Sequence, residues 1–238
     1  MNTVKYKKLK TQTIAHRGVS GIECENTGAS FVAAGNRSYF GIETDVHITA
    51  DGKFAVIHDD NTARVSDISL EVEKSTLAEL RKIRLKRKDG YQREDYIIPT
   101  LEEYIGICKL YEKNAVLELK NRFKEREIRK IAEIIDENGR LDNVIFISFD
   151  LENLRILRKV LPLQSLQYLV KEFNGEILRK LKEYKLDIDI GYKALDKNAV
   201  KVLKSNDIKI NCWTCDSKDA AEKLAKLGVD FITSNILE

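Results

Sequence analysis

The sequence predicts an α/β protein of the (β/α)8 barrel class, a TIM barrel. Short β-rich runs alternate with amphipathic helical stretches along nearly all of its 238 residues, and eight such runs can be counted. No glycine-rich phosphate loop follows the first run, which disfavours an open dinucleotide-binding sheet. Barrels of this length commonly form one domain, so residues 1–238 are expected to fold as a single unit.

The predicted elements follow one another in a regular order. Eight short runs rich in β-branched residues are the predicted strands: Thr13–Ala15, Gly41–His47, Ala115–Lys120, Val144–Phe149, Ser165–Val170, Leu186–Ile190, Ile208–Thr214 and Phe231–Thr233. Stretches with apolar residues at three- and four-residue spacing predict helices between them. These helices include Lys124–Asn138, Leu151–Val160, Gly175–Tyr184, Lys197–Lys204 and Lys218–Leu227.

One segment interrupts the alternation after the second strand. The run Phe54–His58 follows a predicted tight turn at Ala50–Lys53, so it is expected to double back beside that strand as a hairpin. Residues 59–98 are polar and basic, and a helix then begins at Thr100 with a capping-box pattern that includes Glu103. A connection of about 40 residues is long for a compact domain. We therefore expect an inserted lid segment over one end of the barrel.

Composition limits the classes of partner. The balance of 41 basic and 38 acidic side chains gives a net charge of +3, too small to indicate nucleic-acid binding. No stretch approaches the roughly 18 apolar residues of a membrane span, so stable membrane insertion is not expected. Four irregularly spaced cysteines without a signal-peptide pattern indicate reduced thiols and a cytoplasmic location. The expected partner is a small molecule, and the oligomeric state is left open.

Three acids are the candidate metal ligands. In a barrel of this class, reactive residues collect at the carboxyl ends of the strands. Glu43 and Asp45 are two residues apart on the second strand and project to the same face, and Glu118 lies near the end of the third. Three carboxylates suit one hard divalent cation, Mg²⁺ or Ca²⁺, better than zinc. The alternative is a salt-bridge network with Arg17 and Lys120.

Two of the three histidines are candidates for proton transfer. His16 closes the first strand, and His58 returns to the same end of the barrel if the hairpin forms. A pair of histidines beside a cation suits a general acid and a general base, in either order. His47 has the alternation of an inward-facing residue and is interpreted as a core or positioning residue. For any single histidine, a purely structural role is the alternative.

Arg17 and Lys120 are candidate phosphate ligands. The planar guanidinium of arginine binds two phosphate oxygens at once, whereas lysine acts as a point charge. With a cation, both could offset the charge that develops on a reacting phosphorus. They could equally neutralise the neighbouring acids, and the two roles are compatible.

Taken together, these motifs resemble the glycerophosphodiester phosphodiesterase family, the phospholipase-C-like TIM-barrel phosphodiesterases. The matching residues span nearly the whole chain: His16–Gly18, Glu25–Thr27, Gly41–Val46, Asp51–Gly52, His58–Asp59, Pro99–Glu103, Glu118–Lys120 and, more weakly, Ser148–Phe149, Trp213–Thr214 and Ile232–Thr233. The resemblance implies a barrel with an insertion after its second strand.

The same resemblance implies a reaction and a set of roles. Members of this family cut a glycerophosphodiester into glycerol phosphate and an alcohol by metal-assisted acid–base catalysis. The implied roles are a cation at the three acids, acid–base chemistry at His16 and His58, phosphate binding by Arg17 and Lys120, and a substrate contact from Trp213. Ser234 departs from the pattern, since an aspartate commonly stands there.

Two further departures concern the helices. Gly28, a poor helix former, opens the helix expected after Thr27, and the four residues after Ser234 leave no room for a full eighth helix. Both departures put the detail of barrel closure in question, although neither touches the acids or the histidines.

Three rival interpretations are weaker. The Cys212-x-x-Cys215 pattern suggests a redox pair, but Cys212 falls in a predicted strand rather than at a helix N-terminus. Lys120 could form a Schiff base, but its neighbour Glu118 argues against a lowered pKa. The third is a non-catalytic module that binds phospholipid headgroups or polyphosphates through the basic part of the insertion. Its basic residues are Arg81, Lys82, Arg84, Lys86, Arg87 and Lys88.

Overall fold

A computed structural model describes residues 2–238 and has the predicted barrel. Eight parallel strands form its wall. They are β1 (Gln12–Ala15), β2 (Gly41–Ile48), β4 (Asn114–Leu119), β5 (Val144–Ser148), β6 (Ser165–Val170), β7 (Asp187–Gly191), β8 (Ile210–Trp213) and β9 (Phe231–Ser234). The short strand β3 (Phe54–Val56) is antiparallel to β2. The predicted strands thus recur with ends shifted by at most two residues.

The barrel closes between its first and last strands. β1 pairs with β9 over four residues, from Gln12 against Phe231 to Ala15 against Ser234, and with β2 on its other side. The other parallel neighbours follow chain order, with β4 beside β2. The sequence left this closure in question, and the structure shows the wall closed.

Helices cover the outside of the wall. They are α1 (Gly28–Gly35), α3 (Leu101–Leu110), α4 (Glu125–Glu137), α5 (Leu151–Val160), α6 (Gly175–Glu183), α7 (Lys197–Lys204) and α8 (Lys218–Leu227), whereas α2 (Leu77–Leu80) lies in the inserted segment. A continuous core joins the outward strand residues to the inner helix faces, as where Ile128, Ile131 and Ile135 of α4 are fully buried. Within residues 2–238 no helix has both the length and the apolarity needed to cross a bilayer.

Gly28 does not prevent helix formation. The hydroxyl of Thr27 accepts a hydrogen bond from the backbone N–H of Ser30, and the Ser30 hydroxyl accepts one from the N–H of Thr27. This reciprocal cap satisfies two of the free N–H groups at the start of α1. The predicted cap of α3 is present as well, with Thr100 and Glu103 bonded in the same manner.

The insertion, residues 59–98, has its own small core. Besides α2 it contains a single 3-10 turn at Val72–Lys74. Apolar side chains of this segment pack with Cys24 and with β3: Val65, Val72, Leu77, Leu80, Ile83, Leu85, Tyr96 and Ile98. Hydrogen bonds tie it to the loop after β1, through Arg87 to Ile22 and Tyr96 to Glu23. The segment therefore lies beside the carboxyl end of the barrel, where its role as a lid stays a prediction.

Candidate active site

The three predicted acids converge at the carboxyl end of the barrel. Glu43 and Asp45 lie on β2 and Glu118 lies on the adjacent β4, where Asp45 and Glu118 are register partners. One carboxylate oxygen from each lies within 4.8 Å of the others, and all three residues are buried. Parallel pairing brings the acids together, because neighbouring strands in register project their side chains to the same face.

The pKa values of two of these acids indicate how unfavourable three negative charges are in this buried site. Burial and the charge of Asp45 raise the pKa of Glu118 to about 8 and that of Glu43 well above its usual value. Burial would raise the pKa of Asp45 too, but Lys120 and Arg17 outweigh it and hold that pKa low. Three buried carboxylates at this spacing therefore require protons or additional positive charge.

A divalent cation fits this requirement. Atom Oδ1 of Asp45 is buried without a hydrogen-bond partner among residues 2–238. With every carboxyl group ionised, the ion-paired residues of the site comprise five carboxylates and three cationic side chains, a deficit of two positive charges. They are Glu25, Glu43, Asp45, Asp59 and Glu118, with Arg17, Arg64 and Lys120. An all-oxygen donor set of this charge is typical of Mg²⁺ and Ca²⁺ sites.

His16 follows β1 directly and faces Glu43. Its Nε2 lies 3.9 Å from Oε2 of Glu43, and its Nδ1 lies 2.7 Å from Oδ1 of Asn235. Burial and the charge of Arg17 lower the pKa of His16 to about 4. The ring is therefore neutral at pH 7, and Nε2 is the nitrogen turned toward the acids.

His58 comes two residues after β3, and two backbone contacts anchor this part of the chain. The N–H of Ile57 donates to the carbonyl of Asp45 at 3.1 Å, and the His58 carbonyl accepts from the ring of His47. Nδ1 of His58 donates to Oδ1 of Asp59. Because Nδ1 is engaged, Nε2 is the nitrogen available to exchange a proton. Burial lowers the pKa of His58, although the charge of Asp45 opposes the shift.

His47, the third histidine, is fully buried and supports His58. Its Nε2 donates to the His58 carbonyl at 3.2 Å, and its Nδ1 accepts from the amide of Asn121 at 3.3 Å. The same amide donates to Glu73 in the insertion at 2.7 Å. This geometry agrees with the interpretation of His47 as a core or positioning residue.

Arg17 connects the acids of the site. It adopts a left-handed conformation with φ of 53°, and its backbone N–H donates to Glu43 at 2.9 Å. Its guanidinium contacts Glu25 at 2.8 Å and Asp45 at 3.5 Å. The next residue, Gly18, also has a positive φ, and a Cβ there would lie 2.4–2.6 Å from Ser30. Only glycine fits this turn.

Lys120 and Trp213 lie at the same end of the barrel. The Lys120 ammonium is 2.9 Å from Glu118 and 3.5 Å from Asp45. Trp213, the last residue of β8, donates its indole N–H to the carbonyl of Asp189 at 3.3 Å and packs edge-to-face against Phe149. Trp213 is only partly buried, so its ring forms part of the surface of the barrel mouth.

The structure also bears on the rival interpretations. Cys212 and Cys215 are both free and buried, and burial raises the pKa of each thiol, which disfavours redox chemistry. Burial would lower the pKa of Lys120, but Asp45 and Glu118 outweigh it, so the amine stays protonated and is a poor Schiff-base nucleophile.

The basic run of the insertion is largely neutralised. Four of its six basic side chains form ion pairs with nearby acids. These pairs are Arg81–Glu103, Arg84–Glu94, Lys86–Asp67 and Arg87–Asp89. These pairs cancel part of the positive charge that the run would otherwise present to anionic headgroups.

Sequence reasoning missed several residues that hold the site together. Arg64 of the insertion donates to Asp59 at 2.6 Å and to both oxygens of Glu25 at 2.7 and 2.8 Å. Asn26 donates to Asp45 at 2.8 Å, and Asn235 bonds to His16. The Glu25-Asn26-Thr27 motif was a signal for the roles of Glu25 and Asn26 in the site. Arg64 and Asn235 carried none, since their partners are distant in the sequence.

Comparison of the sequence with known proteins identifies the family to which the chain is similar. Residues 16–237 match the model of the glycerophosphoryl diester phosphodiesterase family. A glycerophosphodiester phosphodiesterase of Caldanaerobacter subterraneus is 31% identical over 95% of both chains. One from Bacillus subtilis is 26% identical over 94% of this chain and 83% of its own.

Solved structures give the same result. A phosphodiesterase of Oleispira antarctica, determined with the product sn-glycerol-3-phosphate, is 28% identical, covers 98% of this chain and 96% of its own, and superposes with a TM-score of 0.89. A glycerophosphodiester phosphodiesterase of Thermotoga maritima is 26% identical over 94% of both chains, with a TM-score of 0.76. The family match spans nearly the whole chain and includes every residue of the acid cluster. This protein therefore belongs to the glycerophosphoryl diester phosphodiesterase family.

Proposed function

We propose that this protein hydrolyses glycerophosphodiesters to glycerol phosphate and an alcohol at the mouth of the barrel. The observation that carries the proposal is the convergence of three buried acids with His16, which faces them, and His58, whose preceding residue Ile57 is bonded through its backbone N–H to the carbonyl of Asp45. Family membership and the product bound to the Oleispira relative support the same reaction.

Glu43, Asp45 and Glu118 are the proposed ligands of one hard divalent cation, Mg²⁺ or Ca²⁺. Such an ion, when bound, supplies Lewis-acid stabilisation of a phosphoryl oxygen. Two of these carboxylates also pair with cationic side chains, Asp45 with Arg17 and Glu118 with Lys120. These two cations would face the phosphate of the substrate. Oδ1 of Asp45 accepts no hydrogen bond and has only the Lys120 ammonium near it at 3.5 Å, and this, with the deficit of positive charge, supports the assignment.

The histidines are proposed to move the protons. One removes the proton from the attacking oxygen, a substrate hydroxyl or a water, as its P–O bond forms. The other, protonated on both ring nitrogens, donates the proton on Nε2 to the alkoxide as the P–O bond to the alcohol breaks. Both rings use Nδ1 for a fixed hydrogen bond, which orients Nε2 for transfer in either role.

Arg17, Lys120 and Trp213 are proposed to bind the substrate. Arg17 and Lys120 are mostly buried and already positioned by carboxylates, so they offer preorganised charge to the phosphate. The partly exposed ring of Trp213 offers an apolar surface to the carbon chain of the substrate. Its N–H is occupied by Asp189, so the ring rather than the N–H is the contact.

Steady-state turnover of glycerophosphocholine by His16→Ala and His58→Ala tests the roles of the histidines. Each variant should lose roughly 10²- to 10⁴-fold in kcat, the usual contribution of a general acid or base. With a p-nitrophenyl glycerophosphodiester, whose leaving group needs no proton, the acid variant should recover activity and the base variant should not. Full activity of either variant on glycerophosphocholine contradicts the proposal.

Removal of the metal tests the cation site. Chelation should abolish turnover, and stepwise addition of Mg²⁺ or Ca²⁺ should restore it and identify the working ion. Glu118→Gln should weaken the apparent affinity for that ion, whereas Glu133→Gln on the exposed face of α4 is the matched control. Activity that survives exhaustive chelation would refute the cation site.

A further inference from the structure

A short polar relay joins the turn after β9 to His16. Oδ1 of Asn235 lies 2.7 Å from Nδ1 of His16, and Nδ2 of Asn235 donates to Oδ2 of Asp216 at 2.6 Å. Asp216 lies in the loop between β8 and α8, so the relay spans two strand ends of the barrel. We propose that Asn235, oriented by Asp216, is a positioning residue that fixes the ring and the tautomer of His16. This inference rests on the proposed function of His16.

The chemistry of the three groups allows only one arrangement of protons. A carboxylate accepts hydrogen bonds, so the amide nitrogen of Asn235 must face Asp216. The carbonyl oxygen of that amide must then face His16, where it can only accept. Nδ1 of His16 therefore carries the proton, and Nε2 of the neutral ring keeps its lone pair. That nitrogen is the one 3.9 Å from Glu43.

Asp216 is itself held by the turn, so the relay has a rigid base. Its Oδ1 accepts from the Ser234 hydroxyl at 2.7 Å and from the backbone N–H of Asn235 at 2.8 Å. The Ser234 hydroxyl in turn accepts from the N–H of Leu237 at 2.9 Å. Serine replaces the aspartate common in the family at this position, and Asp216 supplies a carboxylate to the same turn.

The relay orients the ring of His16 through Nδ1, whereas the proton is transferred at Nε2. Oδ1 of Asn235 accepts from Nδ1 of His16, the ring nitrogen that does not face Glu43, and from the Ser20 hydroxyl at 2.6 Å. No hydrogen bond or ion pair within residues 2–238 joins Asn235 to the acid cluster. Its loss should leave substrate binding intact and reduce the fraction of His16 in the productive orientation. Such a change lowers kcat with little effect on KM.

Three variants of the full-length, metal-loaded protein test the proposal with glycerophosphocholine. Asn235→Leu keeps a side chain of similar size but removes the oxygen that accepts from Nδ1 of His16. It should lower kcat about 10- to 100-fold, the usual effect of losing an outer partner of a functional group. Asn235→Asp places two carboxylates face to face and should lower kcat as well. Asn235→Asp combined with Asp216→Asn restores a donor–acceptor pair and should recover kcat to within a few-fold of wild type.

The rescue is the readout that a merely structural role would not produce. Asn206→Leu, beyond the end of α7 at the opposite end of the barrel, is the matched control and should leave kcat unchanged. Thermal melting of every variant separates loss of fold from loss of orientation. If His16→Ala is inactive while Asn235→Leu has wild-type kcat, or if the double variant is no better than Asn235→Asp, the positioning role is wrong although the proposed function stands. If His16→Ala is active, the proposed function itself fails.

Discussion

At the scale of single residues, the site depends on hydrogen bonds that fix otherwise mobile rings. Each of the three histidines has Nδ1 bonded to a defined partner: Asn235, Asn121 or Asp59. A histidine with one nitrogen engaged has a defined tautomer, and the position of its other nitrogen is fixed as well. The sequence identified the rings, but these partners determine what each ring can do.

Replacement of His47 tests how strongly the backbone of His58 is held. His47→Leu leaves the His58 carbonyl without its donor and should lower kcat on the order of 10- to 100-fold. His47→Gln places an amide N–H near the position of Nε2 and should retain most of the activity. Steady-state kinetics on both variants, with melting curves, check this prediction. Equal losses in the two variants would contradict it.

At the scale of elements, the hairpin of β2 and β3 and the insertion assemble the site together. β2 supplies Glu43, Asp45 and His47, and β3 leads the chain back to His58. The insertion returns Arg64 to Asp59 and Glu25 and places Glu73 against Asn121. Residues from separate elements are thereby fixed relative to the acids before substrate arrives, which is the condition for electrostatic catalysis.

The capping box of α3 gives a stability prediction at this scale. Thr100 accepts a hydrogen bond from the N–H of Glu103 at 3.1 Å, and α3 packs Leu101, Tyr104 and Ile105 into the core. Thr100→Ala should lower the free energy of unfolding by about 1 kcal/mol. Denaturant unfolding of wild type and Thr100→Ala measures this difference in the free energy of unfolding.

The matched control for this prediction is Thr76→Ala. It removes the same cap from the four-residue helix α2, which buries two side chains where α3 buries four. Thr76→Ala should lower the free energy of unfolding by less than Thr100→Ala does. A larger loss from Thr76→Ala than from Thr100→Ala would mean that the insertion, rather than α3, limits stability.

At the scale of the whole molecule, one side chain joins distant parts of the chain beneath the barrel. The Glu238 carboxylate accepts hydrogen bonds from the backbone and hydroxyl of Ser38 at 2.8 Å and pairs with Lys5 at 2.6 Å. It also accepts from the hydroxyl of Thr3. Burial opposes its charge, but these contacts prevail and lower the pKa of Glu238 to about 2.

The lowered pKa predicts a pH-dependent contribution to stability. A carboxyl whose pKa is lower in the folded state stabilises the fold above its unfolded pKa, about 4.3, and loses this contribution as pH falls toward the folded pKa. Wild type should therefore unfold at higher denaturant than Glu238→Gln at pH 7. The difference should shrink between about pH 4.5 and pH 2. A difference that does not change with pH would show that shape, not charge, matters at this position.

The predictability of the fold and the site differed for a physical reason. Alternating strands and amphipathic helices are local patterns, so the barrel, its order and element ends within one or two residues could be read from the sequence. The same rule placed Glu43, Asp45 and Glu118 at one face, because strand alternation and parallel pairing are regular. Arg64 and the core of the insertion were missed, since an irregular segment has no period to read.

The sequence by itself determined the fold class, the family pattern and which side chains could carry the chemistry. Only the tertiary structure decided how those side chains are oriented and charged. Orientation depends on partners 219 residues apart, as for His16 and Asn235, and no local pattern encodes such a contact. Charge depends on burial and on neighbours, as where Asp45 raises the pKa of Glu118 to about 8. The (β/α)8 barrel predicted at the outset is what brings these distant groups within hydrogen-bond reach.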